Sequence, residues 1–171
     1  MSNSADYALG CLGVDLDRAD TTAQHDPGLT VMTKAGEATY ARAAAATPFG
    51  SLVGLAPSSA TATVSVIATL TSTGNVQNAQ TFGVANASVA QSSWGWFQTR
   101  VTNPRYDIQV RAAAACQPNA KLFTTATGGV VDDATVSTGF LQGLTVLESA
   151  ASASTVPCVF HSITNGKVNY Q

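Results

Sequence analysis

Charge is scarce in this chain and missing from its middle. From Ala43 to Thr99, 57 consecutive residues include no Asp, Glu, Lys, Arg or His; nine of the 18 charged residues precede the run and nine follow it. A third of the protein therefore lacks the side chains that do most acid–base, metal and ion-pair chemistry. Long apolar runs are missing too. Ser, Thr, Asn, Gln and Gly break every hydrophobic stretch of that region, whereas a membrane-spanning helix needs roughly 20 predominantly apolar residues. Histidine occurs only at 25 and 161. Cysteine occurs at 11, 116 and 158, an odd set without CxxC spacing. That pattern is unlike a disulfide framework or a zinc site, and the three are read as reduced thiols acting as small hydrophobes.

What is present bounds the class. Charged residues make up 11% of the chain, against a usual ~25%, while apolar content is ordinary at 45%. Low charge with normal hydrophobicity opposes disorder, which needs the reverse balance, and 171 residues suffice for one domain with a real core. A net charge of −2 supplies no field that would recruit nucleic acid. A near-neutral surface favours association, so the composition points to an assembly subunit. The N-terminal MSNSADYALGCLGVDL has no basic n-region, and synthesis in a cytosol is expected. Without a secretory route the Asn86-Ala87-Ser88 tripeptide has no glycan to carry.

Along the chain, residues 1–27 stand apart. Asp6, Asp15, Asp17, Asp20 and Asp26 crowd a stretch without strand or helix periodicity, read as an extended arm whose Tyr7, Leu9, Leu12, Val14 and Leu16 contact a neighbouring subunit or shell. Residues 28–171 are read as a single β domain. Leu29–Thr33 and Ala38–Arg42 form an expected hairpin across Lys34-Ala35-Gly36. Ala62–Leu70 places Ala62, Val64, Val66, Ala68 and Leu70 on one face of a strand; a helix beginning after Pro57-Ser58-Ser59 is the alternative there. Further strands are expected at Gln80–Val84, Ser93–Val101, Tyr106–Arg111, Lys121–Thr125, Phe140–Leu147 and Val156–Ser162, with Val131–Ala134 as a turn. Pro157 places the last of them on a sheet edge. The class is all-β: a sandwich, jelly roll or small barrel of about 8–10 short strands. No solenoid-type or propeller-type repeat is visible.

Four constellations carry candidate chemistry. Trp94-Gly95-Trp96-Phe97 is the densest aromatic cluster, read as core or interface packing, with a sugar- or base-stacking platform as the sharper alternative. Arg100, Arg105 and Arg111 lie close together in sequence, either as a solvated rim or as forked contacts to an acidic protein partner. Asp15-Leu16-Asp17-Arg18-Ala19-Asp20 imitates a calcium loop, yet lacks the glycine at the sixth position and the glutamate at the twelfth. No GxSxG, P-loop, GxGxxG or HExxH occurs. No catalytic, cofactor-binding or metal site is assigned, and a non-enzyme is expected.

Gly83-Val-Ala85, Trp94-Gly-Trp-Phe-Gln98, Ala112 to Phe123, Gly129-Val-Val-Asp132, Thr138-Gly-Phe140 and Gly143-Leu-Thr-Val-Leu-Glu148 come in an order that resembles the small β head-decoration, or cement, proteins of tailed bacteriophages. The likeness covers roughly residues 80–170 and departs at Thr99-Arg100-Val101, where glycine commonly follows the strand. It implies a structural virion protein, synthesised in the host cytoplasm and placed on the outer surface of a capsid. Its implied partners are the major capsid protein and its own copies in a homotrimer, with no nucleic acid or membrane. A tail-fibre or adhesin module that binds a glycan is the competing reading.

Overall fold

A computed structural model describes residues 14–58, 65–72, 81–103, 108–135 and 139–165. Eleven strands are described: β1 Thr30–Met32, β2 Gly36–Ala43, β3 Leu52–Ser58, β4 Ser65–Leu70, β5 Thr81–Ala85, β6 Trp94–Val101, β7 Gln109–Ala112, β8 Leu122–Thr124, β9 Val131–Asp132, β10 Phe140–Val146 and β11 Ser154–Asn165. The protein is all-β. Among the described residues no helix is long and apolar enough to cross a membrane.

β2 to β6 close a five-stranded barrel in the order β2-β4-β3-β5-β6, sealed by the long β2·β6 ladder. β2 and β4 are parallel and every other neighbour is antiparallel. Alternation along these strands sends Ala41, Ala43, Val53, Leu55, Ala68, Ala85 and Phe97 inward as one cluster, because successive residues of a strand face opposite sides. The expected face of β4 behaves accordingly, with Val66, Ala68 and Leu70 all in that cluster.

β7 to β11 close a second ring in the order β7-β9-β8-β10-β11. Its first and third strands are again the parallel pair, through Ala112 and Val131, and its other neighbours are antiparallel. The two rings thus share one topology, and the correspondence reaches individual residues. Arg42–Ala46 and Arg111–Ala115 are the same RAAAA segment, each closing the first strand of its ring. Beyond it, Thr47 bridges Val89, while Cys116 and Ala115 bond Ala150 at 3.0 and 2.7 Å. Gly50 and Asn119, which coincide when the two RAAAA segments are aligned, both have positive φ (75° and 59°). Each donates its N–H to the last residue of the fourth strand, Ala85 at 2.9 Å and Val146 at 3.2 Å. The correspondence spans a whole ring, a period longer than that of the solenoid and propeller repeats that the sequence lacks.

The rings meet where Phe160 of β11 pairs with Val101 of β6. Leu52, Phe82, Val84 and Val101 of the first ring join Val110, Leu122, Val146, Cys158 and Phe160 of the second in one core. β11 is therefore a central strand, paired with β10, β7 and β6, which corrects the edge placement expected from Pro157. The proline is tolerated because its nitrogen faces Leu147, just past the end of β10. Leu147 N–H still donates to the Pro157 carbonyl at 2.9 Å, and only the return bond is lost.

Two strands go beyond the sequence expectation: β3, and the short β9, whose Val131-Asp132 falls where a turn is expected. The first hairpin forms as expected, one residue shifted. Its turn is held by Thr33 Oγ1, which accepts the N–H groups of Ala35 (3.2 Å) and Gly36 (3.0 Å).

Candidate functional site

The end of the barrel where β2 begins and β6 finishes is hollow. A cavity of about 390 Å³ is lined there by Glu37 and Thr39 of β2, Leu55 of β3, Val66 of β4, Thr81 of β5 and Thr99 of β6, with Arg100 and His161 at the rim. β2 explains the opening. It pairs with β1 through Glu37–Thr39 but with β4 only at Arg42 and Ala43. The wall is continuous at one end and splits toward the other, with Gly28 packed against Val66 at the fork.

A β-bulge shapes the rim. Glu37 faces Arg100 and Ala38 faces Gln98, so Thr99 is the extra residue, and its Oγ1 donates to the Glu37 carbonyl at 3.2 Å. The bulge brings Arg100 Nη1 within 3.2 Å of Glu37 Oε1. Both side chains are well exposed, so the pair orients the two groups more than it stabilises the fold. The bulge falls on the Thr99-Arg100-Val101 stretch where the sequence departs from the cement pattern.

Outside the same barrel, residues 14–28 lie along the wall. Val14 and Leu16 pack with Val31, Ala38, Tyr40 and Trp96. Tyr40 stands at the centre: its hydroxyl donates to Asp20 Oδ2 at 3.3 Å and accepts the Gln24 N–H at 3.2 Å. Trp94 stacks on it at 5.7 Å and His25 meets its edge at 5.1 Å. Burial foremost, then the Asp20 carboxylate, push the Tyr40 hydroxyl above its usual range. Asp20 also pairs with Arg18 at 2.8 Å and bonds backbone to backbone with Trp94.

These contacts relocate several sequence-predicted residues. Leu16 is 2% exposed within its own chain, so it is not a free shell contact, and the segment from Val14 onward is part of the fold rather than an arm. Tyr7, Leu9 and Leu12 lie outside the described residues. Trp96 is buried on the outer wall and Phe97 in the barrel interior; a stacking platform cannot be built from Trp96 in this state. The arginines are not gathered: Arg100 is at the barrel mouth, while Arg111 lies beside Gly50 at the opposite end. Arg105 is outside the described residues. The calcium-like aspartates do not converge, because Asp15 caps the Asp17 N–H and Asp20 is held by Arg18 and Tyr40.

One metal-type grouping was missed, since its cysteine and its aspartates are far apart in sequence. Cys116 Sγ and the carboxylates of Asp132 and Asp133 lie within 4.8 Å of one another. The carboxylates are already employed, Asp133 by the Gln117 N–H at 3.1 Å and Asp132 by the Asp133 N–H at 2.8 Å. Burial first, then both aspartates, raise the Cys116 thiol above its usual range. The group fastens the loop after β7 to the end of β9. The cavity residues Glu37, Thr39 and Thr81 were also missed. The signal of Glu37 and Thr39 was polar side chains at the core-facing parity of β2, continuing Ala41 and Ala43; Thr81 takes the corresponding parity of β5, with Ala85. Comparison with protein-family models, curated proteins and solved structures finds no match to this chain.

Proposed function

We propose that this protein is a non-enzymatic virion subunit, a decoration or cement protein that sits as a homotrimer on the outside of a tailed-phage head and ties neighbouring capsomers together. The observation that carries the reading is the repetition of an alanine-rich end. At the far end of the barrel from the cavity, Ala43 and Thr47, on either side of Ala44–Ala46, bond the 86–93 loop; in the second ring Ala115 and Cys116 bond Ala150. Ala44, Ala45, Ala46, Ala114, Ala115 and Ala151 are exposed in these loops. Small neutral side chains surrender little conformational entropy on docking, and the alanines themselves bring no charge to pair or desolvate, with Arg42 and Glu148 exposed beside them. Two like ends on one chain suit a shell that repeats the same surface. The motif order along residues 80–170 supports the same reading.

Mass spectrometry of purified particles tests it. The protein should occur in a simple ratio to the shell protein, and purified protein should rebind heads stripped of it. Presence only in infected-cell lysate, with no rebinding, would refute it. Light scattering at low micromolar concentration should report three chains per particle; a stable monomer would remove the trimer from the reading.

A further inference from the structure

Two rings are built to one strand order, and the first keeps a cavity at one end. Around its first strand the second ring offers Ile108 and Val110 to the core. Aligning the two RAAAA segments makes Thr39 and Ala41 their counterparts in the first ring. Small barrels ordinarily fill their interior with side chains, as Val53 and Phe97 do in the closed half. The first barrel instead keeps a cavity of about 390 Å³, inside the ~300–1,000 Å³ range of small-molecule sites.

We propose that this cup binds a neutral polyhydroxylated ligand, one or two sugar residues of a glycan. Its two charges cancel: Glu37 and Arg100 are 3.2 Å apart, presenting acceptor oxygens beside guanidinium donors. A vicinal diol meets such a pair with a donor and an acceptor of its own. Thr39 and Thr99 add hydroxyls that can still accept, since Thr39 Oγ1 already bonds Thr30 Oγ1 at 3.0 Å and Thr99 Oγ1 donates to the Glu37 carbonyl; Thr81 adds one that donates or accepts, and Leu55 and Val66 give an apolar floor for the C–H face of a ring. An anion would be opposed by Glu37 and a cation by Arg100. A hydrophobic peptide anchor would cover the hydroxyls and the ion pair without offering them any further partner. Trp94 and Trp96 take no part, since they lie on the outer wall.

The test is an amide-shift NMR titration of the full chain with D-glucose, D-galactose, D-mannose and N-acetyl-D-glucosamine, with N-acetylneuraminic acid and glycyl-serine as charged-sugar and peptide probes. At least one neutral sugar should saturate, with a Kd of about 1 mM, and shift the amides of Thr39, Leu55, Thr81 and Thr99. Thr39→Ile, which installs the residue of the second ring, should abolish binding. Glu37→Gln, which keeps the volume and removes the charge, should weaken it about tenfold, as when a hydrogen bond to a charged group becomes a neutral one. Melting curves establish that each variant is folded; if Thr39→Ile is not, Glu37→Gln decides. The proposal is overturned if no neutral sugar saturates, if only the acidic sugar or the dipeptide does, if the shifts fall outside the cup, or if Glu37→Gln binds like the parent. No heads enter this assay, so its failure leaves the virion reading standing, and loss of that reading leaves the cup.

Discussion

Leu16→Ala measures whether the segment before β1 belongs to the fold. Leu16 is 2% exposed and packs among Val14, Val31, Ala38, Tyr40 and Trp96. Truncation to Ala removes three carbon atoms, roughly 2.4 kcal/mol of transfer free energy at ~0.8 kcal/mol per carbon. Its neighbours are held from both sides, Tyr40 and Trp96 by ladder pairing in β2 and β6, so the space left behind closes only in part. Leu→Ala substitutions in such sites cost about 2–5 kcal/mol in all, and about 3 kcal/mol is expected here. For a chain of this size 1 kcal/mol moves Tm by about 2–4 °C, giving a drop of about 6–12 °C. Thr21→Ala, at an exposed position of the same segment, is the control and should stay within about 0.5 kcal/mol of the parent. Urea melts followed by tryptophan fluorescence are the direct assay, because Trp94 and Trp96 are the chain's two tryptophans and both touch this cluster. A loss below about 1 kcal/mol would mean that the segment frays in solution and that an arm ending near residue 27 was the better description.

Four further outcomes follow from the same structure. Tyr40→Phe removes the hydroxyl shared by Asp20 and Gln24 and should lower stability by about 1–2 kcal/mol in the same urea melts, with the fold retained. Gly50→Ala should destabilise by more than about 1 kcal/mol, since a Cβ there would lie 2.9 Å from Thr155 Cγ2 and 3.0 Å from the Gln109 carbonyl at a φ of +75°. Asn119→Gly, at the equivalent position, should be neutral or slightly stabilising by thermal melting. Cys158 is buried and its thiol is pushed up to about 12 from 9.0. The unfolded chain therefore releases this proton near pH 9 while the folded chain keeps it, so its contribution is intact below pH 9 and is lost as pH rises toward 12. Tm should fall over that window, and less steeply in Cys158→Ala; equal slopes would remove the thiol from the account.

Local pattern made much of the fold legible. Alternation in Val66, Ala68 and Leu70, β-branched content and glycine-bearing turns placed β4, β5, β6, β8, β10 and β11 to within a few residues, because side-chain parity and turn conformation are set by neighbours in sequence. β3 was obscured by Gly54 and Pro57, and β9 by its shortness, Val131 and Asp132 alone. The proline rule failed at Pro157 because position in a sheet is a property of partners, and the partner of its nitrogen happened to be the end of β10.

By itself the sequence determined the all-β class, the charge-free central third, the lack of paired cysteine spacing and the absence of a nucleophile or metal motif, all of them matters of composition and short-range spacing. It did not disclose that Leu16 is core, that Trp96 and Phe97 face opposite sides of one wall, or that Glu37 and Arg100 meet across 63 positions of chain. It also held the RAAAA repeat in plain view without marking it as the first strand of two like rings. Those facts depend on which strands pair, and pairing is decided by long-range contacts whose favourable energy appears only once the chain has closed its loops. Tertiary structure alone decided that the first ring keeps a cup at one end.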